Sequence, residues 1–446
     1  MRSRIYSCVP KKESEISQAC WRKIPYRFEA NIFSNHTSER RFPSPQRKMR
    51  YDFEIRLNFQ HRIVFEESVF SFDNQAIIET LEFPQEGKGR RRRVVVLLEK
   101  GVAEAWPNLS ESISEKVESI EGATFRGVHV LLGGEDSKKT KEVYEEACSL
   151  IAEAGIDRHS YVFAIGGGAF LDVVGFAATT VHRGVRLVRF PTTTLSQDDS
   201  GVGVKSGVNL FGKKNFLGAF AVPYAVINDF SFLASQSPEV RLDGLVEAIK
   251  VALVKDASFF NWLEEARPRL AKLEPEALKE AVERSAVLHA RHIAEGGDPF
   301  EMGSSRPLDF GHWAAHKLEQ LSEFRLSHAR AVSVGLALDC LYAVAVGYLA
   351  EKECDRVLNL LAGLGLPLWA DELELRDADD RRLVYQGLEE FREHLGGELT
   401  ILLLKSAGQG VEVHSMDEDI LDTCVEKLAA RETEKVSTED SSLLKV

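Results

Sequence analysis

The sequence predicts an α/β amino-terminal domain with a parallel-rich sheet and covering helices, followed by a mostly α-helical domain. Two observations carry this. From Val94 to Val181, short β-branched apolar runs alternate with amphipathic ones, the pattern of repeated strand–helix units. Beyond about Ser235, long helical-period runs take over and LTILLLKS is the one late strand expected. The expected division is a leader or disordered extension over 1–50, the α/β domain over 51–235, the helical domain over 236–430 and a flexible tail over 431–446.

Each element has its own signature. YDFEIRLNF and HRIVFEESVF alternate apolar and polar residues and read as two strands, arranged as a hairpin. VVVLLEKG is a buried strand, and GVAEAWPNLSESISEKVESI a helix. VHVLLGGED and KKTKEVYEEACSLIAEAG repeat that unit, as do YVFAIGGG and FLDVVGFAATTV. In the second half, the helical runs are PEVRLDGLVEAIKVALVKDASFFNWLEE, EALKEAVERSAVLHARHIAE, DFGHWAAHKLEQL, ARAVSVGLALDCLYAVAVGYLAEK and DRVLNLLAGLG. The tail after Arg431 is polar and expected to fray.

Bulk properties exclude some functions. With 44% hydrophobic and 28% charged residues, the composition is that of an ordinary globular chain. A net charge of −13 argues against nucleic acid as a partner, since that binding runs on clustered cations. No uninterrupted apolar run of about 18 residues is present, so no membrane span is expected. Six cysteines without CxxC spacing suggest reduced thiols and a cytoplasmic setting. Residues 1–48 are rich in Arg, Lys and Ser. They read either as a transit peptide to a plastid or other organelle, or as an extension ahead of a working initiator at Met49; Glu13, Glu15, Glu29 and Glu39 favour the second.

The chemistry concentrates between Glu247 and His328. Glu247 and Lys250 stand three apart on one helical face. His312 and His316 stand four apart on another, with Asp309 just before, and His328 opens a third helix. One carboxylate and two imidazoles, with a fourth position open, suit a catalytic divalent metal. Gly166, Gly167 and Gly168 end a strand and open a helix, which suits a pyrophosphate. Leu171 occupies the third glycine position of GxGxxG, so a plain tight turn stays open as the alternative. Glu135 and Lys138 are either cofactor contacts or solvated charge. HRGVRLVRFPTTTLSQDDSGVGVKSGVNLFGKKNFLGAF interleaves Arg183, Lys205, Lys213, Lys214 and Asn215 with small and hydroxyl residues, as a segment gripping a phosphate or carboxylate would.

Over about residues 55–425 these motifs resemble, in order, those of the sugar-phosphate cyclase superfamily typified by 3-dehydroquinate synthase. GGGAFLDVVGFAA is similar to its GGG-xx-D turn, which assigns Gly166, Gly167, Gly168 and Asp172 to NAD. GGEDSKK resembles GExxK and adds Glu135 and Lys138. PTTTLSQDDSGVGVKSGVN resembles PTTLLAxVDSSVGGKTGVN and adds Thr192, Thr193, Asp199 and Lys205. KKNFLGAF resembles GKNxxGAF, making Lys214 and Asn215 substrate contacts. GLVEAIK, DFGHWAAH and SHARAV resemble GLAEVIK, NLGHTFGH and LHGEAV. They imply a zinc or cobalt site of Glu247, His312 and His328, with Lys250 on substrate and His316 as a proton relay. Arg183, Lys205, Lys214 and Lys250 would neutralise a small-molecule sugar phosphate. The implied reaction transiently oxidises an alcohol with bound NAD, eliminates phosphate, reduces the ketone and closes a carbocycle by an intramolecular aldol. A homodimer and a dehydroquinate synthase-like fold are also implied.

Departures from the pattern bear on the substrate. Asp309 stands where the synthases carry Asn, and with Val204 it resembles the branch acting on sedoheptulose 7-phosphate to give valiolone-type products. A carboxylate at 309 disfavours a substrate carboxylate nearby. Ser305 and Arg306 shift the family arginine by one place, Arg291 stands for a substrate lysine, and HAR at 328–330 replaces HGE. His316 keeps the synthase choice. The mixture is similar to a third group, the dehydroquinate-synthase-like proteins of ebo-type clusters. Two other classes are weighed: an iron-type alcohol dehydrogenase, which needs no lysine grip, and a non-catalytic binding protein derived from a cyclase.

Overall fold

A computed structural model of the protein describes residues 51–443 apart from 56, 86–88, 140, 212 and 304; the reading of residues 1–48 lies outside them. Residues 58–446 group as one compact unit. Its centre is a six-stranded sheet of β1 (Ile63–Glu66), β2 (Arg92–Glu99), β3 (Ala123–Leu131), β4 (Tyr161–Gly166), β5 (Arg186–Pro191) and β8 (Ala225–Asp229). The order is β1-β8-β5-β4-β2-β3 and every pairing is parallel. A hairpin of β6 (Lys205–Leu210) and β7 (Lys213–Phe220) stands apart from that sheet.

Strand periodicity sorts the apolar runs onto two faces. Val94, Val96 and Leu98 pack with Phe163, Ile165 and the Leu109–Ser119 helix on one face. Val95 and Leu97 pack with Val162, Ala164 and the helices Glu142–Glu153 and Gly168–Thr180 on the other. A third core is built from helices beyond Asp229, centred on Leu245–Lys255, Pro275–Glu295, His312–Leu321 and His328–Ala345. The last of these is long and apolar enough to cross a membrane by composition, yet 72% of it is buried inside the protein.

Four expectations are corrected. The alternating segment before β1 does not make a hairpin with it: 51–55 have no regular structure and β1 pairs parallel with β8, because alternation predicts a strand but not its neighbour. The expected 101–120 helix is two, Lys100–Ala105 and Leu109–Ser119, broken at Trp106-Pro107 as proline requires. The late strand β9 (Ile401–Ser406) has an antiparallel partner, β10 (Gln409–Val413). The tail is not frayed from Arg431, since the final helix runs Glu418–Leu443.

The sheet positions a binding crevice by topology. After β3 the chain returns to the other side of β2 to form β4, so crossovers leave in opposite directions between β2 and β4. Such a switch opens a crevice at the carboxyl ends of the strands. Arg189, fully buried on β5, fixes the segment that follows. Its guanidinium donates to the carbonyls of Gly201 (3.2 Å), Gly203 (2.6 Å) and Lys205 (2.9 Å) and to Ser206 Oγ (3.0 Å). Arg189→Met should therefore lower stability by roughly 3 kcal/mol through stranded buried acceptors, read as a lower midpoint in urea unfolding.

Candidate metal and cofactor site

Three helices place one ligand each in their first turns. Glu247 is the third residue of Leu245–Lys255, and His312 and His328 are the first residues of theirs. The ligand atoms of the three lie within 4.8 Å of one another. Gly311 allows this approach: it sits at φ 78, and a Cβ there would meet Leu336 N at 2.8 Å. A Cβ on Gly335 would meet Gly311 O at 2.0 Å, so the two histidine helices touch backbone to backbone.

The outer contacts orient both rings. His312 Nδ1 faces the Phe310 carbonyl at 3.1 Å, and His328 Nδ1 faces Glu319 Oε2 at 3.0 Å. Each Nε2 is thereby left for an ion. Both oxygens of Glu247 are buried and lack a hydrogen bond among the described residues, although Lys250 Nζ contacts Oε2. Burial raises the Glu247 pKa against the pull of Lys250, and burial holds His312 well below its usual value. A neutral imidazole and an under-satisfied buried carboxylate are the states a dication binds, so the residues fit Zn²⁺ or Co²⁺.

Glu319 was not singled out by sequence, although its spacing of three from His316 was a usable signal. It receives His328 on one oxygen and Lys214 Nζ on the other (2.7 Å). Burial would raise its pKa, but His328 and Lys214 hold it well below the carboxylate range. It thus joins the β6–β7 hairpin to the metal helices. His316 completes a triangle of rings, 5.4 Å from His312 and 5.8 Å from His328. Burial, then Lys214 and His328, lower its pKa to about 3. Asp309 would be raised by burial, but Lys205, His312 and Lys250 bring it to about 2.

The glycine turn forms the facing wall. A Cβ on Gly166 would strike Phe170 at 2.5 Å and Glu99 at 2.7 Å, and one on Gly168 would strike Ser200 Oγ at 2.3 Å. Glu99, at the carboxyl end of β2, accepts from Gly167 N (2.6 Å) and Gly134 N (2.7 Å). An acidic residue ending a strand at the switch point is a dinucleotide signal that sequence reading passed over. Lys138, Asp172 and Asn215 come together, with Lys138 Nζ 2.5 Å from Asp172 Oδ2 and 2.9 Å from Asn215 Oδ1. Glu135 is exposed on the turn after β3. Thr192 N donates to Gly166 O (3.1 Å), and Thr193 Oγ1 bonds Ser196 Oγ (2.9 Å) at the head of the turn bearing Asp199. Asp199 Oδ1 is 2.7 Å from His289 Nδ1. Glycines that admit no side chain, beside exposed and part-buried carboxylates, suit a dinucleotide such as NAD.

Three arginines singled out by the sequence take these places. Arg183 follows the helix that leaves the carboxyl end of β4 and precedes β5, so within its own chain it lies exposed at the amino ends of the strands, opposite the glycine turn. Arg291 is exposed, while its neighbour His292 lines a cavity of about 260 Å³ with Lys255, Glu301, Arg306 and Asp309. Arg330 turns away from the metal helices, pairing with Glu239 (2.9 Å) and Asp243 (3.4 Å), so HAR in place of HGE leaves the ligand set intact. Glu319→Gln should weaken zinc affinity 10- to 100-fold, as loss of a carboxylate behind a ligating histidine does. Competition with a chromophoric chelator would measure it.

Comparison with known proteins identifies the family. The family description "3-dehydroquinate synthase N-terminal" matches residues 128–242, and "3-dehydroquinate synthase C-terminal" matches residues 244–382. The 3-dehydroquinate synthase of Nitrosococcus oceani is 34% identical over 311 residues, covering 68% of this chain and 83% of its own. That of Halorhodospira halophila is 34% identical over 310 residues, covering 69% and 85%. A 2-epi-5-epi-valiolone synthase from Streptomyces hygroscopicus, solved with NAD+ and Zn2+ bound, superposes with a TM-score of 0.74 at 26% identity, over 85% of this chain and 100% of that one. The structure of 2-deoxy-scyllo-inosose synthase shares the fold, with a TM-score of 0.63 at 19% identity, over 82% and 96%. On the matched domains and relatives, the chain belongs to the 3-dehydroquinate synthase family and is an enzyme of its lyase type.

Proposed function

We propose that the protein is an NAD- and zinc- or cobalt-dependent cyclase that eliminates phosphate from a seven-carbon sugar phosphate and closes a carbocycle. The observation that carries this is the meeting of an under-satisfied carboxylate and two oriented imidazoles with Lys205, Lys214 and Lys250 around Asp309 and His316. When bound, the dinucleotide supplies hydride transfer and the dication polarises a hydroxyl or carbonyl.

The chain's own residues supply charge, orientation and proton handling. Lys205 and Lys214 reach from the hairpin, and Lys250 from the helical half, to offset the substrate's negative charge. His316 is held neutral, so one ring nitrogen donates while the other accepts, which suits relaying a proton and not storing it. Asp309 stays ionised at neutral pH beside these cations.

Asp309 favours a particular substrate within this reading. An ionised carboxylate at the sugar-binding end repels a substrate carboxylate, which sedoheptulose 7-phosphate lacks. The valiolone synthase likeness points the same way, and the curated relatives point to the carboxylated substrate of 3-dehydroquinate synthase.

Two outcomes test this. Incubation of the full chain with NAD, zinc and phosphorylated seven-carbon sugars should release inorganic phosphate; release from none of them would overturn the cyclase reading. Asp309→Asn should shift relative kcat/KM toward the carboxylated sugar by about tenfold, the worth of one nearby like charge. An unchanged ratio would remove Asp309 as the selector.

A further inference from the structure

The cations of the crevice already have carboxylate partners, and these are not equivalent. Lys250 and Lys214 pair with Glu247 and Glu319, whose side chains are 1% and 4% exposed and belong to the metal framework. The partner of Lys205 is Glu301, which serves no ligand and is 28% exposed, while Lys205 itself is 54% exposed. Glu301 Oε1 lies 2.7 Å from Lys205 Nζ, and Oε2 lies 2.8 Å from Arg306 Nη1. One carboxylate thus bridges a cation of the hairpin and a cation of the loop before Asp309.

The backbone beneath Glu301 is fixed independently of that bridge. Asp298 accepts from Met302 N (2.8 Å) and Gly303 N (2.7 Å), and Glu301 N donates to Asp298 O (3.1 Å). Glu301 itself is held at φ 50, a left-handed conformation unfavourable to a residue with a side chain. Phe300 packs on Phe220 of β7 at 5.6 Å and edge-on to Phe59 at 6.1 Å. With the backbone anchored on both sides, rotation of the Glu301 side chain is enough to release Lys205 and to open one face of Arg306, whose Nη2 stays on the Glu301 carbonyl at 3.2 Å.

We propose that Glu301 is the resident counter-ion of the anion grip, and that a phosphate dianion displaces it from Lys205 and Arg306. Within the bridge itself two cations face one carboxylate, with Asp309 the next charge beside Lys205 and outside the bridge. A dianion in place of Glu301 matches both cations, whereas a carboxylate ligand merely exchanges like for like and gains nothing. Glu301 is therefore a specificity-determining residue that admits phosphates and turns away simple carboxylates. The bridge is partly exposed and therefore weak enough for a dianion to overcome. The proposal takes from the reading above only that the crevice receives a phosphorylated ligand.

Calorimetric titration of the NAD- and zinc-loaded full chain with inorganic phosphate, and separately with acetate, tests this at one pH. Glu301→Gln should bind phosphate about three- to tenfold more tightly than the unaltered chain, following the modest worth of an exposed pair. The phosphate-to-acetate preference should narrow at the same time. Equal or weaker phosphate binding, or an unchanged preference, overturns the proposal. Carboxyl labelling of the unaltered chain with carbodiimide and glycine ethyl ester, read by mass spectrometry, gives a result even if the variant does not fold. Phosphate should raise labelling of Glu301 several-fold, and no rise overturns the proposal. Neither measurement needs turnover, so a chain that cyclises no sugar yet shows the exchange would lose the cyclase reading and keep the counter-ion.

Discussion

Glu319 is the contact on which the site's assembly depends. One nearly buried carboxylate receives Lys214 from the β6–β7 hairpin and His328 from the helical half, so a cation of the crevice and a candidate metal ligand are oriented by the same group. A carboxylate in that setting is costly unless both oxygens are matched to charge or hydrogen-bond donors. Here both are matched, and its ionised form is held by the same partners it positions. The arrangement ties electrostatics to geometry: a hairpin displaced from Glu319 would also leave the ring of His328 without its orienting acceptor.

Around that contact, the crevice is assembled from charges supplied in compensating pairs. Lys250 with Glu247, Lys138 with Asp172, His289 with Asp199 and Lys205 with Glu301 each join residues that substrate or cofactor chemistry would use. The acidic chain therefore keeps a locally cationic grip without exposing a bare positive patch. Burial alone would discharge Lys250 and Asp199, and their charged neighbours keep them ionised. Asp198 is the exception. It is fully buried, without a hydrogen-bond partner among the described residues, and pushed well above the carboxylate range by burial and by Asp199 and Glu247.

Much of this was legible in the residues. Strand–helix alternation gave the parallel sheet, and the glycine triplet fell at its switch point because strand ends are where tight turns are needed. Glu247, His312 and His328 were legible through helical spacing and resemblance, and the fold brings their ligand atoms together. What escaped depends on which distant elements become neighbours. Arg183 carries the right charge, but a motif does not state which end of a sheet it occupies. Glu319, Glu99 and Glu301 acquire their roles only through partners 5 to 105 residues away in sequence. The alternating segment before β1 and the polar tail misled for a simpler reason: local composition does not fix strand pairing, nor forbid a helix whose first turns are anchored in a core.

The bare contact between Gly311 and Gly335 has a consequence for how the ligand cage tolerates change. Its span is set by two main chains in van der Waals touch, with no side chain left to repack between them. A spacer of that kind cannot be tuned by small steps. One added methyl group at either glycine would drive the histidine-bearing segments apart, so the width of the gap is set by main chain alone, and only the groups around it can change without moving the helices.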